Sequence, residues 1–444
     1  MRSLTKAILS TAVLMQAGVV AASDVSKAAA IPVRIEGSIV EGFSLLRGGK
    51  PFQIRGAGGH EHLDVLAACG GNTIRTWDVE TLLKKTDGVR LIDRAAERGI
   101  AVTVGIWLGH ERHGFDYGNP RQLQQQRDRV VEAVKALRDH PAVLTWGLGN
   151  EMEGPTGSGD RRQIWQEIDR LAGFIKSLDT AHPVMTVVAN INPAKVAAIK
   201  QHAPQVDILG VNAYSGATGI GGQLRQLGWE KPYCITEYGL PGPWEVEKTA
   251  WNAPREPTSR KKAGSYNVAT REILADKACL GAYVFLWGQK QEATASWFGM
   301  FLPSGEKTIT VDAVTDAWTD HWPADRSPVL REVEMPLDGR LLEPGAKLQV
   351  TARYRDPEGE PLSYEWEVRR ESSDHQVGGD VEQRPAVVPD CIVMADAAGE
   401  ATVRLPRKPG AYRLFVTVRD GHGSGCMDNW PFGVTTTDEQ GSTR

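Results

Sequence analysis

From Gln53 to Trp287 two hydrophobic periods take turns along the chain. Short runs that are apolar at nearly every position, such as Ile100–Leu108, Val184–Val188 and Ile208–Tyr214, alternate with stretches whose apolar residues recur at three- and four-residue spacing. The first pattern is that of a strand covered on both faces, the second that of a helix with one buried stripe. Read this way, Gln53–Gly56, Asn72–Trp77, Ile100–Leu108, the Leu144 stretch, Val184–Val188, Ile208–Tyr214, Tyr233–Glu237 and Gly281–Trp287 are eight strands. Helices are predicted over Glu61–Cys69, Gly88–Arg98, the segment opened by Asn119-Pro120, the Ile164–Ile175 stripe, Pro193–His202, Gln223–Leu227, Ser259–Cys279 and Val311–His321. Asn119 suits an N-cap, Pro120 the first helical position, and Gly99 a helix C-cap. Strands and helices in strict alternation imply a parallel sheet covered by helices, an α/β fold that closes as a (β/α)₈ TIM barrel. An open doubly wound sheet is the competing fold, but no glycine-rich phosphate loop follows the first strand.

Flanking segments read differently. Val33–Arg55 carries the pattern of a β-hairpin ahead of the barrel. Pro323–Pro328 is a linker, and beyond it the period falls to two: Leu348, Val350, Ala352 and Tyr354 alternate with polar residues, as do Leu362, Tyr364, Trp366 and Val368. Residues 329–436 are therefore expected to form a small all-β, immunoglobulin-like sandwich, a spacer or docking module followed by a polar tail over 437–444. At the other end Arg2 and Lys6 precede an apolar run from Ala7 to Val20 and the small residues Ala21-Ala22. That is the three-part pattern of a secretory signal peptide over 1–22, with Ala28-Ala29-Ala30 as another cleavage site. It leaves a barrel domain over 31–322 and an exported chain, periplasmic or extracellular, with no membrane span after signal removal.

Composition narrows the function classes. With 444 residues and 41% hydrophobic content there is enough chain for two or three domains. A formal net charge of -4 without a basic stripe excludes a nucleic-acid partner. Trp (13) outnumbers Tyr (9) and Phe (9), and flat indole faces suit the C–H faces of sugars as well as they fill cores. Trp77, Trp107 and Trp297 are open to either reading. Of five cysteines, Cys69, Cys234 and Cys279 read as buried thiols, whereas Cys391 and Cys426 could pair in an oxidising compartment. No Cys/His spacing resembles a zinc site.

Two strand ends carry the chemistry. Leu144-Thr-Trp-Gly-Leu-Gly-Asn-Glu151 delivers an Asn-Glu pair just after two glycines, and Tyr233-Cys-Ile-Thr-Glu237-Tyr-Gly239 repeats the design. Two carboxylates, each at the end of its own strand, are what glycosidic bond cleavage requires. Glu151 and Glu237 are the candidate catalytic pair, with no cofactor and no metal called for. Glu153 reads as a solvated loop residue.

These motifs resemble those of the large clan of retaining β-glycoside hydrolases with (β/α)₈ barrels, clan A, which includes cellulase-like and β-galactosidase-like families. The resemblance implies Glu151 as general acid/base, Asn150 as holder of a sugar 2-OH, and Glu237 as nucleophile. It also implies that Arg75 pairs with the nucleophile, that Tyr214 lies near it, and that Trp287 lies beneath the sugar. Trp77, Trp107 and His110 complete the expected substrate-binding set. The segment Asp356-Pro-Glu-Gly-Glu-Pro-Leu-Ser-Tyr-Glu-Trp366 is similar to modules of the polycystic-kidney type. The expected partner is a β-linked oligo- or polysaccharide, cleaved by double displacement. A transglycosidase using the same glutamates and a non-catalytic glycan-binding barrel are the alternatives, and oligomeric state stays open. His60-Glu61-His62 also opens metal-dependent amidohydrolase barrels, but the later strands lack the ligands that such a site needs.

Overall fold

A computed structural model describes residues 29–153, 161–376 and 379–436. The predicted signal peptide and polar tail lie outside them. Eight parallel strands close into a barrel: β1 (Ile54–Gly58), β2 (Thr73–Arg75), β3 (Ala101–Ile106), β4 (Val143–Leu148), β5 (Val184–Ala189), β6 (Ile208–Asn212), β7 (Tyr233–Tyr238) and β8 (Cys279–Val284). Each is followed by a helix: α1 (Leu63–Ala68), α2 (Leu91–Glu97), α3 (Pro120–Leu137), α4 (Arg162–Leu178), α5 (Pro193–His202), α6 (Ile220–Gln226), α7 (Ser259–Ala275) and α8 (Ile309–Thr319). Strands β3, β4, β7 and β8 are buried at every position, as their unbroken apolar runs require. Helix α3 begins as expected, with the Asn119 side chain accepting from the amides of Arg121 and Gln122.

The barrel interior is layered. Ile54, Ala101, Leu144, Met185, Ile208 and Cys234 fill its lower end, where Val33 and Leu45 of the N-terminal hairpin join them. That hairpin is fixed by backbone bonds from Val33 to Ala181 and from Phe43 to Lys277, both 2.7 Å. Above the apolar layer, Thr103 bonds Thr145 at 2.8 Å and Tyr283 at 2.6 Å. Polarity thus rises toward the strand C-terminal ends, where Arg75, Asn150 and Glu237 sit.

One predicted helix is shortened. Asp87 and Gly88 take φ of +53° and +83°, and they turn a two-stranded ribbon, Lys85–Thr86 against Val89–Arg90, before α2 starts. Asp-Gly is a strong hairpin signal, and it prevails over the helical period read across it.

After α8 the chain builds two antiparallel sheets. One holds β9 (Val329–Glu334), β10 (Lys347–Arg355), β12 (Ile392–Ala395) and β13 (Glu400–Arg404); the other pairs β11 (Ser363–Arg370), β14 (Gly410–Arg419) and β15 (Ser424–Val434). Val350, Ala352, Trp366, Val368, Ala401 and Val416 belong to one core between the sheets. Alternation holds on β10 and β11 but fails on β14, and every residue of β15 is buried. The reason is the barrel. The outer face of β14 and β15 packs on it, with Phe415 and Met427 against Leu302, and Lys307–Thr308 adds an edge strand to β15. Asp428 accepts from the Ser259 amide and hydroxyl, both at 2.6 Å, and from the Tyr354 hydroxyl. Arg413 reaches the Pro254 carbonyl at 2.9 Å, and Asn429 reaches Glu256 at 2.7 Å.

The Cys391–Cys426 bridge that the sequence left open is absent. Both are free buried thiols, with Cys391 joined through its carbonyl to Arg404 in one sheet and Cys426 bonding the Pro328 carbonyl from the other.

Asp428→Ala strands a buried amide and two hydroxyls at the barrel–sandwich contact. It should cost about 2–4 kcal/mol, read as a lower melting temperature, with Asp428→Asn recovering part of the loss.

Candidate active site

Glycine and strain shape the end of β4. Gly149 has φ +68° and Glu151 φ +52°, so two left-handed residues bracket Asn150. A non-glycine residue in that region is uncommon and persists only where the surroundings hold it. Here the Glu151 amide is tied to the Val187 carbonyl of β5 at 2.9 Å. The reversal aims Asn150 and Glu151 into the barrel mouth.

Across the mouth, Glu237 ends β7 and is 5% exposed. Its Oε1 accepts from Arg75 Nη1 at 2.9 Å and from Trp77 Nε1 at 3.2 Å, while Oε2 accepts from the Tyr214 hydroxyl at 2.8 Å. The second Arg75 nitrogen donates to Asn150 Oδ1 at 2.7 Å. Asn212, at the end of β6, completes the chain: its amide nitrogen donates to Glu151 Oε1 at 2.8 Å and Asn150 Oδ1 at 3.1 Å. Its carbonyl oxygen accepts from Thr236 at 2.8 Å, which fixes the orientation of the amide. One bonded path therefore runs Glu237–Arg75–Asn150–Asn212–Glu151.

The two carboxylates are held unlike. Burial, and next the charge of Glu237, push the Glu151 carboxyl up to about 7, against the opposing donor of Asn212. Glu237 meets three donors, one of them a full cation. Burial and then Glu237 hold the Tyr214 hydroxyl well above its ordinary range, so it stays a donor. The geometry offers a proton donor and a dressed nucleophile facing one space.

That space is a cavity of about 750 Å³ lined by both glutamates, Asn150, Asn212, Tyr214, Trp77, Trp107 and Trp244. Phe285 and Leu286 form part of its floor, and Glu245, Lys290 and Glu292 part of its rim. Gln376, Gly379 and Asp380 also line it, and they come from the sandwich. Lys290 bonds Glu292 at 3.0 Å and the Gly379 carbonyl at 2.9 Å, and buried Glu382 accepts from the Ala293 amide at 2.7 Å. The C-terminal module is thus a wall of the cleft rather than a detached spacer.

Several expected contacts fall elsewhere. Trp287 is 1% exposed and packs between Phe301 and Trp318, away from the cavity, because its amide bonds the Gly58 carbonyl and its ring turns toward α8. His110 is buried behind Trp107, ring centroids 4.9 Å apart, where burial and the neighbouring Arg112 bring it down to about 4. It supports an indole and does not line the cavity. Trp297 is wholly buried, its Nε1 on the Pro241 carbonyl at 3.1 Å. Glu153 is no solvated residue: it is 2% exposed and paired with Lys195 at 2.7 Å. Asn212 was not singled out in the sequence, although an Asn closing a buried apolar run is the signature Asn150 shows. The sandwich residues had no such signal.

A family model described as glycosyl hydrolases family 2, TIM barrel domain, matches residues 82–241, the stretch that carries both glutamates. The barrel belongs to clan A of the retaining β-glycoside hydrolases. Among this clan A chain's relatives, β-glucuronidase of Chlorocebus aethiops is 27% identical over 243 residues, 47% of this chain and 34% of that one. Human (Homo sapiens) β-glucuronidase is 26% identical over 205 residues, 41% of this chain and 28% of that one. The chain matches only about a third of the length of these relatives. Two solved structures superpose with TM-score 0.50. One is a β-galacturonidase from Eisenbergiella tayi bound to galacturonate, 18% identical, covering 66% of this chain and 54% of that one. The other is Bacteroides uniformis β-glucuronidase 2, covalently bound to cyclophellitol-6-carboxylate aziridine, 15% identical, covering 91% and 48%. At such identities the likeness is one of fold.

The field of Glu237 is the second cause of the raised Glu151 carboxyl, so removing that charge should lower it. Glu237→Gln should move the Glu151 titration down from about 7, read by carbon-13 NMR of the labelled carboxyl, whereas Asn212→Ala, which deletes a donor to the ionised form, should move it up.

Proposed function

We propose that the chain hydrolyses a β-glycoside with net retention. One observation carries this reading: Glu151 and Glu237, at the ends of β4 and β7, face a single cavity and are linked through Arg75, Asn150 and Asn212. Glu237 would attack the anomeric carbon while Glu151 protonates the departing oxygen. A glycosyl–Glu237 ester forms as the glycosidic C–O bond breaks. Glu151, now ionised, takes a proton from water, which displaces Glu237 and restores both groups. Arg75 and Tyr214 orient the Glu237 oxygens, and Asn150 stands where a hydroxyl beside the reacting carbon can meet it. Trp77, Trp107 and Trp244 offer ring faces to the sugar.

A neutral sugar in the cleavage subsite suits the cavity best. Among its described lining residues Lys290 is the cation, and it is already held by Glu292, with Glu245 and Asp380 adding negative charge. The relatives named above favour a second reading, a β-uronide whose carboxylate takes Lys290 from Glu292. We also infer export, supported by the charged, apolar and small-residue pattern of residues 1–22.

Glu237→Gln should lower kcat on the preferred aryl β-glycoside by about 10⁴-fold with the fold unchanged by circular dichroism. Proton NMR of the first product should show the β anomer. An α product, or full activity in the variant, would overturn the reading. Lys290→Ala separates the two substrates: kcat/KM for a neutral glycoside should change by less than about threefold, whereas a uronide held by an ion pair should lose on the order of 100-fold.

A further inference from the structure

One polar residue of the cavity wall takes no part in the bonded path between the glutamates. Asn190 directly follows β5, is exposed, and lines the cavity together with Glu151, Ala189 and Asn212. Its φ of +53° is left-handed, a region that asparagine enters more readily than most residues but that the surroundings still have to hold. Buried charge holds it from behind. Helix α5 starts on Asn192, whose side chain accepts from the Lys195 amide at 2.8 Å, and the first turn carries the Lys195 side chain back to the end of β5. Lys195, 4% exposed, gives its three ammonium protons to Glu153 at 2.7 Å, the Ala189 carbonyl at 2.5 Å and the Asn190 carbonyl at 3.0 Å. Glu153 in turn accepts from the Ala189 amide at 2.8 Å.

The Asn190 amide is tied as well, to the Asn212 carbonyl of β6 at 2.8 Å, so both of its main-chain polar groups are fixed. So is one end of its side chain, because Oδ1 accepts from the Ile191 amide at 2.8 Å. What remains is Nδ2, a donor without a partner among the described residues, on an exposed side chain at the cavity wall. A donor held this firmly loses little freedom when it bonds a ligand. Its place decides which part of the ligand it meets. β5 adjoins β4, and the Glu151 amide bonds the Val187 carbonyl, three residues before Asn190. Glu237 lies across the mouth with Arg75, Trp77 and Tyr214 around it. Glu151 gives its proton to the departing oxygen, so groups that flank Glu151 away from Glu237 face the departing group. On the other flank, just after β3, stands Trp107, 37% exposed, backed by His110 and also lining the cavity. A flat ring and a fixed donor on the two sides of the acid match the C–H face and the hydroxyls of a pyranose.

We propose that Asn190, with Trp107 opposite, forms a sugar-binding subsite for the leaving group, so that the bond cleaved joins two sugars. Asn190 Nδ2 donates to a hydroxyl of the departing sugar, and the Lys195–Glu153 pair keeps that donor in place. The assignment rests on the retaining β-glycosidase reading above and narrows its substrate to a β-linked oligo- or polysaccharide. A phenol or a simple alcohol as leaving group presents no ring hydroxyl to Asn190 and gains nothing from it.

The test compares two leaving groups on one glycone. The p-nitrophenyl β-glycosides of glucose, galactose, mannose and glucuronic acid identify the glycone that the full chain cleaves, and the β-linked homodisaccharides of that sugar supply the second leaving group. Asn190→Gly keeps the left-handed backbone without the side chain, and Asn190→Asp keeps the Oδ1 acceptor while removing the donor. With each protein measured at its own pH optimum, the ratio of kcat/KM on the disaccharide to kcat/KM on the aryl glycoside should fall at least about tenfold in both variants. Trp107→Ala should lower the same ratio. Circular dichroism should show the wild-type fold throughout. An unchanged ratio in either Asn190 variant, or a wild type that cleaves the aryl glycoside and no disaccharide of the same sugar, would overturn the proposal and leave the retaining reading standing. A wild type inert on every aryl glycoside and disaccharide would remove that reading and the proposal with it, a result seen before any variant is compared.

Discussion

Placing two carboxylates in one half-dry cavity is unfavourable unless something separates their roles, and here Arg75 does so. Its guanidinium spends one nitrogen on Glu237 and the other on Asn150, a planar fork that a lysine could not reproduce. Asn212 then passes the constraint to Glu151. The surrounding architecture serves this fork: β2 is short and wholly buried, so Arg75, its last residue, is held at the barrel mouth. The strained turn after β4 brings Asn150 and Glu151 to meet it. Charge asymmetry follows from that placement: Glu237 receives three donors, whereas Glu151 is buried beside the charge of Glu237 with Asn212 as its donor.

The second domain belongs to the same machine. Its β14 and β15 lie flat on the barrel through Asp428, Arg413 and Asn429, and Glu382 pins a sandwich segment to the loop after β8. That segment brings Gln376 and Asp380 to the cleft. A wall assembled from both domains couples cleft shape to domain packing.

Much of this was legible from one-dimensional pattern. The (β/α)₈ alternation, the strand-end positions of Glu151 and Glu237, and the closeness of Arg75 and Tyr214 to Glu237 are all present in the structure. Strand-end residues are readable because a parallel barrel sends whatever closes an apolar run into its mouth. The errors have the same root. Trp287 follows such a run, yet the chain turns after β8 and sends the ring outward; His110 sits in a loop, where period says nothing of direction. Glu153 looked solvated because its partner, Lys195, is more than forty positions away in sequence.

Local sequence therefore settled which elements form, since hydrophobic period acts over a few residues and burial follows from it. It settled for the same reason that Glu151 and Glu237 reach the barrel mouth. Tertiary structure alone decided what they meet there: the Asn212 bridge, the sandwich wall of the cleft, the full burial of β15 despite its polar residues, and the unpaired thiols of Cys391 and Cys426. Each of these depends on contacts between segments far apart along the chain, and their geometry exists only once the two domains have packed.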